Sequence, residues 1–111
     1  MSETQIMRAI RTAVCKTRLA VVYRNNVGFD VQRKMKFGLG IGSADLVGML
    51  IGGWNAGRVL AYEVKTPEGR LSKEQIAWIQ AVNKRGGFAY CVRSVDEALE
   101  KLKEAHERKN Y

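Results

Sequence analysis

The sequence has few of the residues on which zinc fingers and disulfide-linked domains depend. Its 111 residues include two cysteines, one histidine and one proline. The cysteines, Cys15 and Cys91, form no C-x-x-C pair, and His106 has no second histidine beside it. Zinc-finger folds and chemistry based on a cysteine or histidine nucleophile are therefore nearly excluded. The same scarcity of cysteine favours a reducing, cytoplasmic compartment.

Long hydrophobic runs are absent as well. No run approaches the roughly 18 apolar residues that a membrane-spanning helix needs, and the N-terminal residues lack the pattern of a secretory signal. With 46% apolar and 27% charged residues, the composition is that of a globular domain rather than a disordered chain. We expect one domain over residues 1–111, with a modest core that oligomerisation would help to stabilise.

Positive charge is what the chain has in excess. It contains 19 Lys and Arg against 11 Asp and Glu, a net charge of +8. Residues 1–44 carry eight of the basic residues and only Glu3 and Asp30 as acids. Such an excess favours a polyanionic partner, nucleic acid rather than a membrane surface, because no segment pairs a basic face with a large aromatic and leucine face. Dispersed surface charge that serves solubility is the alternative.

Apolar periodicity predicts a mixed α/β domain with the element order α-β-β-β-α-β-α. Helices are predicted where apolar residues recur at helical spacing, over residues 3–18, 72–85 and 94–105. Strands are predicted where β-branched and aromatic residues cluster, over residues 19–23, 46–51, 58–65 and 88–92. Glycine-rich residues 52–57 predict a hairpin between the second and third strands. Segment 25–42 is interpreted as a turn and a flexible approach to the next strand.

The third predicted strand carries a carboxylate and an amine on its polar side. Because strand side chains alternate, Leu60 and Val64 point to the core while Glu63 and Lys65 point away from it. Asp45 precedes the neighbouring strand, so the hairpin brings it beside Glu63. Converging carboxylates suit Mg²⁺ or Mn²⁺, and a lysine there can orient the attacking water of a phosphodiester hydrolysis. A solvated ion pair and a turn-capping Asp45 are the plain alternatives.

The surrounding residues resemble the VRR-NUC family, the virus-type replication-repair nucleases of the PD-(D/E)xK superfamily. The most specific match is E-V-K-T-P-x-G-x-L-S-x-x-Q, residues 63–75. Residues 24–28 (RNNVG), 42–46 (GSADL) and 86–98 match further family segments. Ala44 stands where the family has a proline before the aspartate. Because proline supplies no ligand, we interpret this substitution as tolerated.

The resemblance implies a restriction-endonuclease-like core, a mixed β-sheet flanked by helices. It assigns Asp45 and Glu63 to Mg²⁺ or Mn²⁺, with the carbonyl of Val64 as a further ligand. Lys65 becomes the catalytic lysine. Gln75 becomes an active-site helix residue, although it also stands where a helix-capping box needs it. Glu3 resembles the first-helix acid that many members place near the metal, although it also suits the start of a helix.

Seven basic residues are candidate phosphate contacts, and solvated surface charge explains them equally well. They are Arg24, Arg33, Lys34, Lys36, Arg70, Lys73 and Arg93. Trp54, at the predicted hairpin tip, is interpreted as packing back on its own hairpin rather than wedging into DNA or a second subunit. Trp78, Cys15 and Cys91 are interpreted as core residues.

The resulting hypothesis is a metal-dependent, structure-selective DNA endonuclease that resolves four-way (Holliday) junctions as a homodimer. A small single domain recognises DNA shape more than sequence, and stand-alone family members resemble junction resolvases. The alternatives are a flap-directed, nick-directed or non-selective nuclease, and a non-catalytic nucleic-acid-binding module. No small-molecule cofactor and no membrane partner are expected. The resemblance suggests a phage or prophage origin and the cytoplasm of a bacterial host.

Overall fold

The computed structural model describes residues 1–109 of the protein, apart from the side chain of Phe37. Within this range the helices are α1 (Glu3–Lys16), α2 (Lys73–Lys84) and α3 (Val95–Glu107). The strands are β1 (Ala20–Arg24), β2 (Gly28–Asp30), β3 (Met35–Phe37), β4 (Leu46–Leu50), β5 (Val59–Val64) and β6 (Phe88–Val92). Every helix and strand predicted from the sequence is present, with bounds shifted by a few residues.

The central sheet has four strands in the order β1-β4-β5-β6. Strands β1, β4 and β5 are antiparallel neighbours, and the predicted hairpin pairs Leu46 with Tyr62. Strand β6 lies parallel to β5, which requires the crossover that α2 provides. The result is the mixed sheet with flanking helices that a restriction-endonuclease-like core requires.

The main core lies between the sheet and the pair α1 and α3. Helix α1 buries residues at a spacing of three and four, which gives it one apolar stripe facing the sheet. Tyr62 is fully buried there, and its hydroxyl donates a hydrogen bond of 2.8 Å to the Ala98 carbonyl. On the other face, α2 packs Trp78 and Val82 over the small residues Ala61 and Ala89. This second layer brings the start of α2 over the end of β5.

Residues 25–42 differ from the sequence prediction, because β2 and β3 pair there as a separate antiparallel hairpin. Each strand has only three residues, too few to give an alternating pattern. The tip is shaped locally: Oδ1 of Asp30 accepts hydrogen bonds from the backbone N–H groups of Gln32 and Arg33. Lys34 adopts a φ of 54°, a conformation that side-chain patterning does not indicate.

Two interpretations of single residues are corrected. Trp54 is 75% exposed at the turn between β4 and β5, so it does not pack back on its hairpin. Cys91 is half-buried and free rather than fully buried, whereas Cys15, also half-buried and free, packs against the main core as predicted. Trp78 is half-buried against the second layer, as predicted. Among residues 1–109, no helix combines the length and the apolar character that crossing a membrane requires.

Candidate active site

Asp45 is held at the start of β4 by backbone hydrogen bonds. Its Oδ2 accepts a bond of 2.8 Å from the N–H of Val64, the last residue of β5. Its own carbonyl accepts a bond of 2.8 Å from the N–H of Asn25. The carboxylate is therefore fixed against the end of β5, beside Glu63, as the hairpin register predicts.

Glu63 is a buried carboxylate, only 2% exposed. Its Oε1 accepts a hydrogen bond of 2.7 Å from Nε2 of Gln75 and lies 3.7 Å from Nζ of Lys65. Its Oε2 is buried and makes no hydrogen bond within the described part of the chain. Burial, followed by the negative charge of Asp45, raises the pKa of Glu63 to about 7, and Lys65 opposes that rise. A cation next to this carboxylate would stabilise its ionised form.

Lys65 follows β5 and is held by the turn that comes after it. Its N–H donates to the carbonyl of Val92 in β6, and its ammonium meets Glu63 on the polar side of the sheet. Nη1 of Arg93 donates two bonds of 2.7 Å, to the carbonyls of Thr66 and Gly69. Arg93, a candidate phosphate contact from sequence, thus stabilises the turn that carries Lys65.

Gln75 both caps α2 and contacts Glu63. Its Oε1 accepts a hydrogen bond from the N–H of Ser72 and its N–H donates to the Ser72 hydroxyl, which completes the capping box of α2. Its Nε2 remains to donate to Glu63. The side-chain amide of Gln75 therefore holds both the start of α2 and one oxygen of the buried Glu63 carboxylate.

A cleft of about 500 Å³ joins these groups to α1. Glu3, Asp45, Glu63 and Gln75 all line it. Glu3 lies in the first turn of α1 and contributes, less than Asp45 does, to the raised pKa of Glu63. The acid predicted at the first helix therefore faces the same space as the two strand carboxylates.

Asn25 is the residue of this site that sequence reasoning did not single out. Its Nδ2 donates to the Ser43 hydroxyl (2.8 Å) and to the Ala44 carbonyl (2.9 Å), and its Oδ1 accepts from the N–H of Leu39. These bonds tie both ends of segment 25–42 to the residue before Asp45. An Asn in a turn-like segment gave no indication of this, although it falls within the RNNVG resemblance.

The family model of the VRR-NUC domain matches residues 5–96. The chain belongs to the VRR-NUC family. The protein is therefore a nuclease of the PD-(D/E)xK type, which makes it a hydrolase with DNA as its substrate. The matched range contains Asp45, Glu63, Lys65 and Gln75, whereas Glu3 precedes it. Among curated proteins, no significant match is found.

The other basic candidates of this VRR-NUC domain lie around the cleft and on the small hairpin. Arg24 lines the cleft. Arg70 and Lys73 are exposed, on the turn after β5 and at the start of α2. The remaining three, Arg33, Lys34 and Lys36, are exposed on the β2–β3 hairpin. Phosphate contact by these side chains stays a prediction.

The acidic residues of the VRR-NUC domain fit a hard divalent cation. Within residues 1–109, no cluster of three His, Cys, Asp or Glu side chains has the spacing of a complete metal centre. Mg²⁺ does not need one, since it is commonly bound by one or two carboxylates and keeps several waters. The buried Oε2 of Glu63, without a hydrogen bond and next to Asp45, is the observation that fits such an ion.

Proposed function

We propose that this VRR-NUC protein is a metal-dependent, structure-selective DNA endonuclease that resolves four-way junctions as a homodimer. The observation that carries the proposal is Glu63, a buried carboxylate with one oxygen unsatisfied, placed beside Asp45 and in contact with Lys65. Burying an ionised carboxylate beside two other acids, Asp45 and Glu3, destabilises the folded domain. A bound cation would offset that cost.

Asp45 and Glu63 would hold Mg²⁺ or Mn²⁺, with the Val64 carbonyl as a further ligand and Glu3 across the cleft. When bound, the ion supplies charge neutralisation at the phosphate and a more acidic water. The chain itself keeps the two carboxylates in place. The Val64 N–H fixes Asp45, and the Gln75 amide fixes Glu63.

Lys65 would act on the phosphate and on the attacking water. Its ammonium is held 3.7 Å from Oε1 of Glu63, with only 14% of its side chain exposed. A positive charge fixed in a nearly water-free position stabilises negative charge that develops on a phosphate oxygen. The turn held by Arg93 limits the positions that this side chain can adopt.

The proposed substrate follows from the small size and positive charge of the domain, and the proposed oligomeric state from the symmetry of the two cuts. A small basic domain recognises DNA by shape and backbone contacts more than by base sequence. Two symmetric cuts across a four-way junction require two active sites related by a two-fold axis, which a homodimer supplies. Arg24, which lines the cleft, is the proposed phosphate contact closest to the cut, and Arg70 and Lys73, exposed before and at the start of α2, are further candidates.

A substrate panel tests the proposal. Purified protein is incubated with end-labelled four-way junction, flap, nicked and linear DNA in Mg²⁺, Mn²⁺ or EDTA, and its mass is measured by light scattering at micromolar concentration. Paired symmetric nicks in the junction alone, from a dimer, support the proposal in full. Metal-dependent cutting of flap, nicked or linear DNA, or a monomeric mass in light scattering, rejects junction resolution by a homodimer. Either result still supports a metal-dependent nuclease. Salt-sensitive binding with no cut product favours the non-catalytic module.

A further inference from the structure

We propose that the β2–β3 hairpin, residues 28–37, is an arm that contacts unpaired bases next to the cleavage centre. This inference rests on the proposed function for its DNA substrate, and it adds the element that selects branched DNA. The arm has exposed apolar side chains among basic ones, and the segments on either side of it line the cleft that holds Asp45 and Glu63.

Hydrogen bonds join the two segments that connect the arm to the cleft. Residues 24–27 lead into the arm and residues 41–43 lead out, and both segments line the cleft. The Asn25 side chain, on the segment that leads into the arm, bonds to Leu39 and Ser43 on the segment that leads out. Gly38, at a φ of 86°, packs so closely on Asn26 that a Cβ would collide with its carbonyl. A base held by the arm is thereby held at a fixed place relative to the catalytic carboxylates.

The arm has exposed apolar side chains that do nothing for the fold. Phe29 is 53% exposed and Val31 78% exposed, and Met35 is also exposed. The arm's strands have three residues each, and an isolated two-stranded hairpin is only marginally stable in water. Three exposed apolar side chains on so short an element offer a surface that a binding partner can cover.

Charge complementarity identifies the partner as nucleic acid. The arm carries Arg33, Lys34 and Lys36 against one acid, Asp30. That acid accepts hydrogen bonds from the Gln32 and Arg33 N–H groups and forms an exposed ion pair of 3.7 Å with the Arg33 side chain, which leaves a net charge of +2 on the arm. Strand register places Phe29 directly opposite Lys36, so an aromatic ring and an ammonium share one face. Single-stranded nucleic acid is bound by this combination, with bases stacked on aromatic rings and phosphates contacted by cations.

Unpaired bases are favoured over duplex because the face of an aromatic ring can stack only on a base that has left its helical neighbours. Flaps carry unpaired bases, and the crossover of an open four-way junction exposes base faces that have lost a stacking neighbour, whereas linear duplex exposes such faces only at its ends. The arm would therefore add affinity for branched DNA without adding affinity for duplex. Its basic side chains would contribute to both, through phosphates and with a strong dependence on salt.

Binding in EDTA tests the arm apart from cleavage. Fluorescence anisotropy measures the affinity for a four-way junction and for linear duplex, and a 2-aminopurine at the crossover reports base stacking. For Phe29→Ala we expect about tenfold weaker junction binding, duplex binding changed less than about twofold, and loss of the 2-aminopurine signal. Phe29→Tyr should keep the wild-type junction affinity, duplex affinity and 2-aminopurine signal. Trp54→Ala, an exposed aromatic at the opposite end of β4 and β5, is the matched control and changes none.

Several results overturn the inference. These are unchanged junction binding by a folded Phe29→Ala protein, an equal loss on junction and duplex, and a wild-type protein that binds neither DNA. A dimer that dissociates on Phe29→Ala overturns it too, because the arm then contacts a second copy of the chain. Failure of the proposed function looks different: wild-type protein stacks on the crossover base through Phe29 but cuts no DNA in Mg²⁺ or Mn²⁺.

Discussion

The Nε2 of Gln75 donates a hydrogen bond of 2.7 Å to Oε1 of Glu63, which joins the first turn of α2 to the end of β5. The same side chain caps its helix through Ser72. Stability and site geometry are thus linked through one amide. The bond leaves Oε2 of Glu63 as the oxygen without a hydrogen-bond partner in the described chain.

Replacement of Gln75 should separate these two effects. Gln75→Ala removes half of the capping box, which costs about 1 kcal/mol of unfolding free energy, and it frees Glu63 to rotate. We expect a small loss of stability in urea unfolding and a fall of at least about tenfold in DNA cleavage. Ser94→Ala, which removes the cap of α3, is the control: a similar loss of stability should leave cleavage unchanged. Equal cleavage by both variants would show that the Gln75–Glu63 bond has no catalytic role.

Glu63 should make the metal-free protein less stable at higher pH. Its pKa is about 7 in the folded state, above its ordinary value of 4.5, so the folded state binds the proton more tightly. The stabilising effect is complete below the unfolded pKa and is lost as the pH rises through 7, at up to about 1.4 kcal/mol per pH unit. Urea unfolding in EDTA from pH 4.5 to 8 measures it. Glu63→Gln should flatten this part of the profile; an identical profile for both proteins would contradict the shift.

Divalent metal should stabilise the folded protein through Asp45 and Glu63. A ligand at about 100 times its dissociation constant adds about 2.7 kcal/mol to the unfolding free energy. We expect Mg²⁺ or Mn²⁺ to raise the melting temperature at pH 8, and EDTA to reverse the rise. Asp45→Ala should lose the response, whereas Asp96→Ala, an exposed acid on α3, should keep it. A response that persists in Asp45→Ala would locate the metal elsewhere.

Asn25 should be needed for activity beyond its effect on stability. Asn25→Ala removes bonds to Leu39, Ser43 and Ala44, which costs about 1–3 kcal/mol and loosens the segment before Asp45. Cleavage should fall at least about tenfold at a temperature where the variant is fully folded. Asn83→Ala is a matched control, since Asn83 also bridges backbone groups, at Ala89. If both variants lose cleavage in proportion to stability, Asn25 is only structural.

The sequence predicted the parts of this site that depend on local pattern. Alternation along β5 separates Glu63 from the core face, and the glycine-rich turn before it sets the register that brings Asp45 alongside. The capping box locates Gln75 at the start of α2. These features act over a few residues, so composition and spacing are enough to recognise them.

Features that depend on distant contacts were not predictable in this way. The bonds from Arg93 to the turn after Lys65 exist because β6 lies parallel to β5, a pairing across the whole of α2. Asn25 acts on residues that are 14 to 19 positions away in sequence. The β2–β3 hairpin consists of strands too short to show a period. In each of these cases the role of a residue depends on which distant residue it contacts in the folded structure, and the local sequence does not indicate that contact.

The most direct test of the central claim is cleavage of an end-labelled four-way junction by wild-type protein and by Lys65→Ala. Wild-type protein should cut in Mg²⁺ or Mn²⁺ and stop in EDTA. Lys65→Ala should remain folded and lose at least about a hundredfold in cleavage rate, while Lys84→Ala, an exposed lysine at the end of α2, cuts like wild type. A folded Lys65→Ala protein that cuts at the wild-type rate, or cleavage that continues in EDTA, would contradict the account.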